Sequence, residues 1–138
     1  MTLRRAGRLG LAGAAGGRRV GVVGLDDPVE GTPDLGPAGD GGRDEVTIWL
    51  VQAPGVVDAI TPEAARPPDL ILGGHTHAGQ VRVPLLPPVR PVGSGRFVAG
   101  WYRDAVAPLY LSRGVGTSGV PFRFGAPPEL PVFTLRRR

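Results

Sequence analysis

Two histidines, His75 and His77, flank a single threonine in the stretch Leu70–Val83, LILGGHTHAGQVRV, and no other histidine occurs in the 138 residues. A neutral imidazole can give a ring nitrogen to a transition metal. In an extended segment, residues i and i+2 point to the same face, so both rings would address one locus. Gly73 and Gly74 permit close backbone approach and unusual dihedrals just ahead of the pair. The apolar run before them reads as a strand, and a strand end that runs into a loop is where α/β sheets place ligand sites. The alternative is two polar residues in a surface turn, and a lone His-x-His does not decide between the two.

Other candidates are weaker. Gly114, Gly116 and Gly119 in GVGTSG have the glycine spacing of a dinucleotide-binding turn. That fingerprint needs a helix behind it, and VPFRFG does not start one. The stretch reads instead as a glycine-rich loop lining a phosphate site. Arg113 and Arg123 flank it, with surface charge as their expected role and contact with a phosphate as the alternative. Asp26 and Asp27 precede Pro28, a pattern that marks a turn with local hydrogen bonds more than an acid–base pair.

Composition bounds the rest. The chain has no cysteine, which removes disulfides and thiolate metal sites. All 16 basic residues are arginine, and the net charge is +4. The arginines are scattered and do not cluster with aromatics, so nucleic acid is not an expected partner. With 41% hydrophobic residues, the chain has material for one modest core. Its 23 glycines and 16 prolines call for short strands, many turns and few helices. The start, MTLRRAGRLGLAGAAGGRR, is too broken by glycine to read as an export signal. No stretch approaches the roughly 18 apolar residues of a membrane span.

The elements that must position the histidines follow from pattern. Arg19–Gly24, Glu45–Val51 and Asp69–Leu72 read as strands, with Gly31–Arg43 as loop. A short helix fits within Pro54–Ala65, with Pro62 able to reset its start. Gly95–Tyr102, Ala107–Ser112 and Leu130–Leu135 read as further strands. Strand–loop–strand spacing before Gly79 suits βαβ crossovers, whereas the part after it looks all-strand and hairpin-like.

In that order, GRRVGVVGLDDP, DLILGGHTH, GHTHAGQVRVP, GRFVAGWYR and LYLSRGVGTSGVPFRFGAPPEL resemble the C-terminal half of calcineurin-like metallophosphoesterases. The nearest group is that of bacterial phosphohydrolases acting on phosphodiester or pyrophosphate bonds in lipid-type substrates. The resemblance runs from about Gly17 to Leu135. It implies an α/β fold, a partial phosphoesterase β-sandwich rich in strands with few short helices. It divides the chain into a poorly ordered start over 1–16 and a phosphoesterase part over 17–138. It makes His75 and His77 metal ligands, one imidazole to each ion of a binuclear centre of Mn, Fe or Zn. The reaction implied is attack of a metal-bridging hydroxide on phosphorus.

Departures from the family pattern qualify these expectations. The chain has no asparagine, so the Gly-Asn-His motif is impossible in it, and no histidine is left for Asp-x-His. GDGGRD at Gly39–Asp44 imitates Gly-Asp-x-x-Asp with the wrong spacing. Gln52, in IWLVQAP, stands where the family has a histidine. Two ligands remain, fewer than the roughly three a catalytic zinc requires. The expected function is therefore a metal-dependent phosphoesterase impaired by missing ligands, and the alternative is a non-catalytic module that completes another polypeptide. On this reading Met1 is an internal start and TLRRAGRL an internal strand. The missing N-terminal half would leave an open sheet edge and a bare apolar face, so the chain alone would be poorly soluble or loosely folded. The expected location is cytoplasmic, with membrane association only through the absent part.

Overall fold

The computed structural model describes residues 6–12, 19–29, 31, 45–61 and 66–136. Gly39–Asp44, Pro62 and all of the 31–43 loop but Gly31 fall outside these residues. Six strands form one sheet: β1 (Ala6–Ala12), β2 (Arg19–Leu25), β3 (Glu45–Val51), β4 (Leu70–Gly73), β5 (Gly100–Tyr102) and β6 (Leu109–Leu111). Their order across the sheet is β1-β2-β3-β4-β6-β5. β2, β3, β4 and β6 run parallel, and antiparallel β1 and β5 form the two edges.

β2 and β3 are the β-branched runs legible in the sequence, and β4 starts one residue later than expected. Tertiary registration explains their order. Val23, Trp49, Ile71, Leu109 and Tyr102 stand opposite one another in one row across the sheet. The next row is Val51, Gly73, Leu111 and Gly100. A side chain at Gly73 would meet Leu111 Cδ2 at 2.7 Å and Val51 Cγ2 at 2.9 Å, so this glycine lets its neighbours close over it. The crossover from β3 to β4 carries a 3₁₀ helix, Pro54–Ala59, which lays Val57 on the same face. The β4–β6 connection adds Phe97 and Ala107. One face of the sheet is thus a packed core.

The opposite face is also apolar. Leu50, Leu72, Tyr110 and Trp101 share a row there. Leu50 is 43% exposed and Trp101 51%, so this face is only partly covered among the described residues. Cover comes from the C-terminal segment, where Phe133 meets the rings of Trp101 and Tyr110 at 6.1 and 5.2 Å between centroids.

Three expectations are corrected. Residues 6–12, inside the stretch expected to be poorly ordered, form β1 against β2. Leu130–Leu135 is an irregular strap rather than a strand; Pro127, Pro128 and Pro131 remove the amides a ladder would use. Of Gly95–Tyr102, only the last three residues form a strand, because the Phe97 amide turns back to Ser94 O and the Val98 amide donates to the Tyr102 hydroxyl. The described residues form a single sheet with short 3₁₀ turns, strand-rich as expected.

Candidate metal centre

The parallel strands β2, β3, β4 and β6 end on one rim, and each delivers a candidate there. β2 ends at Leu25 ahead of Asp26 and Asp27, β3 at Val51 ahead of Gln52, β4 at Gly73 ahead of the histidines, and β6 at Leu111 ahead of Arg113. This is the edge at which α/β sheets hold ligands.

The histidines are not on an extended segment, so the alternation argument does not place them. His75 has φ 70°, His77 φ 49°, Ala78 φ 56° and Gln80 φ 47°, all left-handed. Left-handed non-glycine residues cost of order 1 kcal/mol or more each and cluster where a site over-determines the backbone. What over-determines it here is local. Thr76 is buried, its hydroxyl donates to Val98 O, and it also accepts from the Ala78 amide. The Gln80 side chain holds the facing loop with three bonds: Nε2 donates to Ser118 O and Val120 O, and Oε1 accepts from the Ser118 amide.

Each imidazole is oriented by one backbone carbonyl. His75 Nε2 lies 2.8 Å from Val92 O, and His77 Nδ1 lies 3.2 Å from Gly116 O. A carbonyl oxygen only accepts, so each of these ring nitrogens is the donor. The nitrogens left for a metal are then Nδ1 of His75 and Nε2 of His77. A metal-bound histidine is commonly fixed in this way, with its other ring N–H on a carbonyl. The two rings individually suit metal ligation. As a set they fall short, because no group of three or more His, Cys, Asp or Glu side chains converges among the described residues. Gln52 is exposed at the end of β3. Asp26 and Asp27 are engaged in their own turn: Asp27 Oδ1 accepts from the Val29 amide and Asp26 Oδ1 from the Asp27 amide.

Beside His77 lies a cleft of about 280 Å³, lined by Thr76, Gln80, Val81, Val89, Pro91 and Val120 among others. Its walls are mainly apolar side chains. The glycine-rich loop does reach the site, since Gly116 O holds His77 and Ser118 lines the cleft.

Arg123, expected to be surface charge, is instead a structural clamp. Its guanidinium donates to the carbonyls of Ala126, Gly114, Gly116, His77 and Arg113. The sequence marks it only as a residue flanking the glycine-rich loop and not as a clamp. Arg113 pairs with Glu129 at 3.1 Å, and Glu129 also accepts from the Tyr110 hydroxyl, which pushes the Tyr110 pKa up. Arg123→Ala leaves several carbonyls without their donor and is expected to cost about 2 kcal/mol of stability. The check is urea denaturation together with hydrogen exchange, in which the Ser118 amide exchanges faster in the variant.

Comparison with known proteins bears on this site. Over 124 residues the chain is 35% identical to the uncharacterized metallophosphoesterase YkuE of Bacillus subtilis (strain 168), a match covering 88% of this chain and 42% of the relative. Over 71 residues it is 44% identical to the phosphodiesterase YaeI of Escherichia coli (strain K12), covering 51% and 26% respectively. An uncharacterized metallophosphoesterase of Helicobacter pylori (strain ATCC 700392 / 26695) is 33% identical over 90 residues, 64% of this chain and 23% of the relative. No family model matches the chain, and no solved structure does. The matches span less than half the length of these relatives.

Proposed function

We propose that the chain, 35% identical to a metallophosphoesterase over 88% of its own length, is a metallophosphoesterase part that contributes His75 and His77 to a divalent-metal centre hydrolysing phosphodiester or pyrophosphate bonds. The other ligands come from polypeptide beyond the described residues. The observation that carries the reading is the orientation of both rings: each gives one N–H to a backbone carbonyl at the strand-end rim and keeps the other nitrogen free. Family membership implies a binuclear centre of Mn, Fe or Zn with one of the two imidazoles on each ion. The described residues alone do not supply the roughly three protein ligands such chemistry needs, so no catalytic step is assigned to them. The apolar cleft next to His77 supports a phosphoester with a lipid-type moiety as substrate.

The second reading is a non-catalytic module that completes another polypeptide. The exposed amide of Gln52 in the family's histidine position favours it, as does the partly bare second face of the sheet.

The test is manganese-supported hydrolysis of a chromogenic phosphodiester. Two proteins are compared: this chain, and this chain joined to the part of the B. subtilis relative that lies outside the match. The expected result is little turnover by the chain alone and a gain of about 10³ or more in the joined protein. His75→Ala and His77→Ala each abolish that gain. Hydrolysis that survives both substitutions rejects the assignment.

A further inference from the structure

The segment Arg82–Val92, RVPLLPPVRPV, leaves the site and puts apolar side chains into water. The Leu86 amide donates to Val83 O and closes a turn, with Pro84 in second place and Leu85 in third. Leu85 has φ 69°. Positive φ at the third position of a Pro-led turn is where type II turns require glycine. Leucine stands there instead, and it is fully exposed. Leu86 is 65% exposed, Val89 69% and Val92 80%. Phe122 and Phe124 are also exposed. Val81 bridges to Phe124, and the Arg82 amide donates to Phe124 O at 2.7 Å, so the two loops share a base. Val89 and Val120, one from each loop, line the cleft beside His77.

The charge along these loops is mostly positive, with the carboxylates of Asp58, Asp104 and Glu129 paired to Arg96 and Arg113. From Leu70 to Pro128 the only acidic residue is Asp104, and Arg96 holds it in an ion pair. Arg82 and Arg90 bracket the apolar tip. Arg90 gives one N–H to Gly95 O, which fixes the guanidinium at the loop base without neutralising it.

We propose that the Arg82–Val92 loop, together with Phe122 and Phe124, docks this chain on an anionic lipid bilayer. The leucines insert at the headgroup boundary, and Arg82 and Arg90 meet lipid phosphates. Apolar insertion and attraction to anionic headgroups add in such peripheral contacts. Type II turn geometry would favour glycine at position 85, so an exposed leucine held there at positive φ is explained by a surface that buries it. Docking in this pose sets the cleft beside His77 at the lipid interface. The inference does not depend on hydrolysis by the site.

The test is co-sedimentation of the 138-residue chain with phosphatidylcholine vesicles, with and without phosphatidylglycerol. The comparison variant is Leu85→Gly with Leu86→Ser. Glycine suits the backbone at position 85, so the variant keeps its fold, and its thermal midpoint is unchanged or higher. The chain is expected to bind phosphatidylglycerol vesicles at least about tenfold better than neutral ones, with binding weakened in about 0.5 M salt. The variant should lose about tenfold or more of that partitioning. Equal partitioning of chain and variant, no preference for anionic vesicles, or no binding at all overturns the proposal. Self-association that disappears in the variant, without vesicle binding, overturns it in favour of a contact between copies.

Discussion

Trp49→Ala is expected to remove about 3–5 kcal/mol of folding stability, because it empties the largest buried position of the core. Trp49 stands second in the row that runs from Val23 to Tyr102, between β2 and β4. Domains of this size have about 5–15 kcal/mol in total, so the loss is a large share of what the sheet has. Trp49→Phe gives a useful contrast. The indole N–H is buried without a hydrogen-bond partner among the described residues, so phenylalanine gives up volume but no hydrogen bond. It should cost clearly less than alanine. Urea denaturation followed by circular dichroism measures both. Low protein concentration is needed because the half-covered second face makes self-association a competing reaction.

The second large effect concerns metal affinity. A structural zinc site with a full ligand set is worth about 10–16 kcal/mol. Sharing that over four donors leaves about 2.5–4 kcal/mol for the one imidazole each ion receives from this chain, a dissociation constant of roughly 1–15 mM. Adding the missing donors should tighten binding by about 10³ or more on the same arithmetic. His77→Ala removes one of the two donors this chain supplies, and should cost the completed centre about 2.5–4 kcal/mol. Preorganisation adds to that loss, since the His77 ring is held on Gly116 O and its backbone carbonyl on Arg123.

The strands were legible where pattern and packing agree. Val20–Val23 and Val46–Leu50 are β-branched or large apolar runs, and they became β2 and β3. Leu130–Leu135 has the same composition, yet prolines within and before it deny it a ladder, and it packs as a strap through Phe133. The histidine pair was legible as residue types but not as geometry. Strand alternation was the wrong rule for it, because His75 and His77 sit at positive φ in a knuckle tied down by Thr76 and Gln80. The knuckle depends on carbonyls of Val92, Val98 and Gly116. Side-chain types do not reveal which distant carbonyls the fold will bring near. Arg123 illustrates the same limit: its role comes from carbonyl acceptors gathered from five residues.

That Gly-Asn-His and a further histidine ligand cannot occur was readable from composition alone, since the chain has no asparagine and no third histidine. Among the described residues, the Asp26 and Asp27 carboxylates at the rim turn back on their own backbone, and no group of three or more His, Cys, Asp or Glu side chains converges.

The most direct test of the incomplete centre is calorimetric titration of zinc into the purified 138-residue chain, without any complementing polypeptide. The account predicts weak uptake, roughly 1–15 mM, that disappears when both histidines are replaced by alanine. Saturable nanomolar uptake by the chain alone would contradict it.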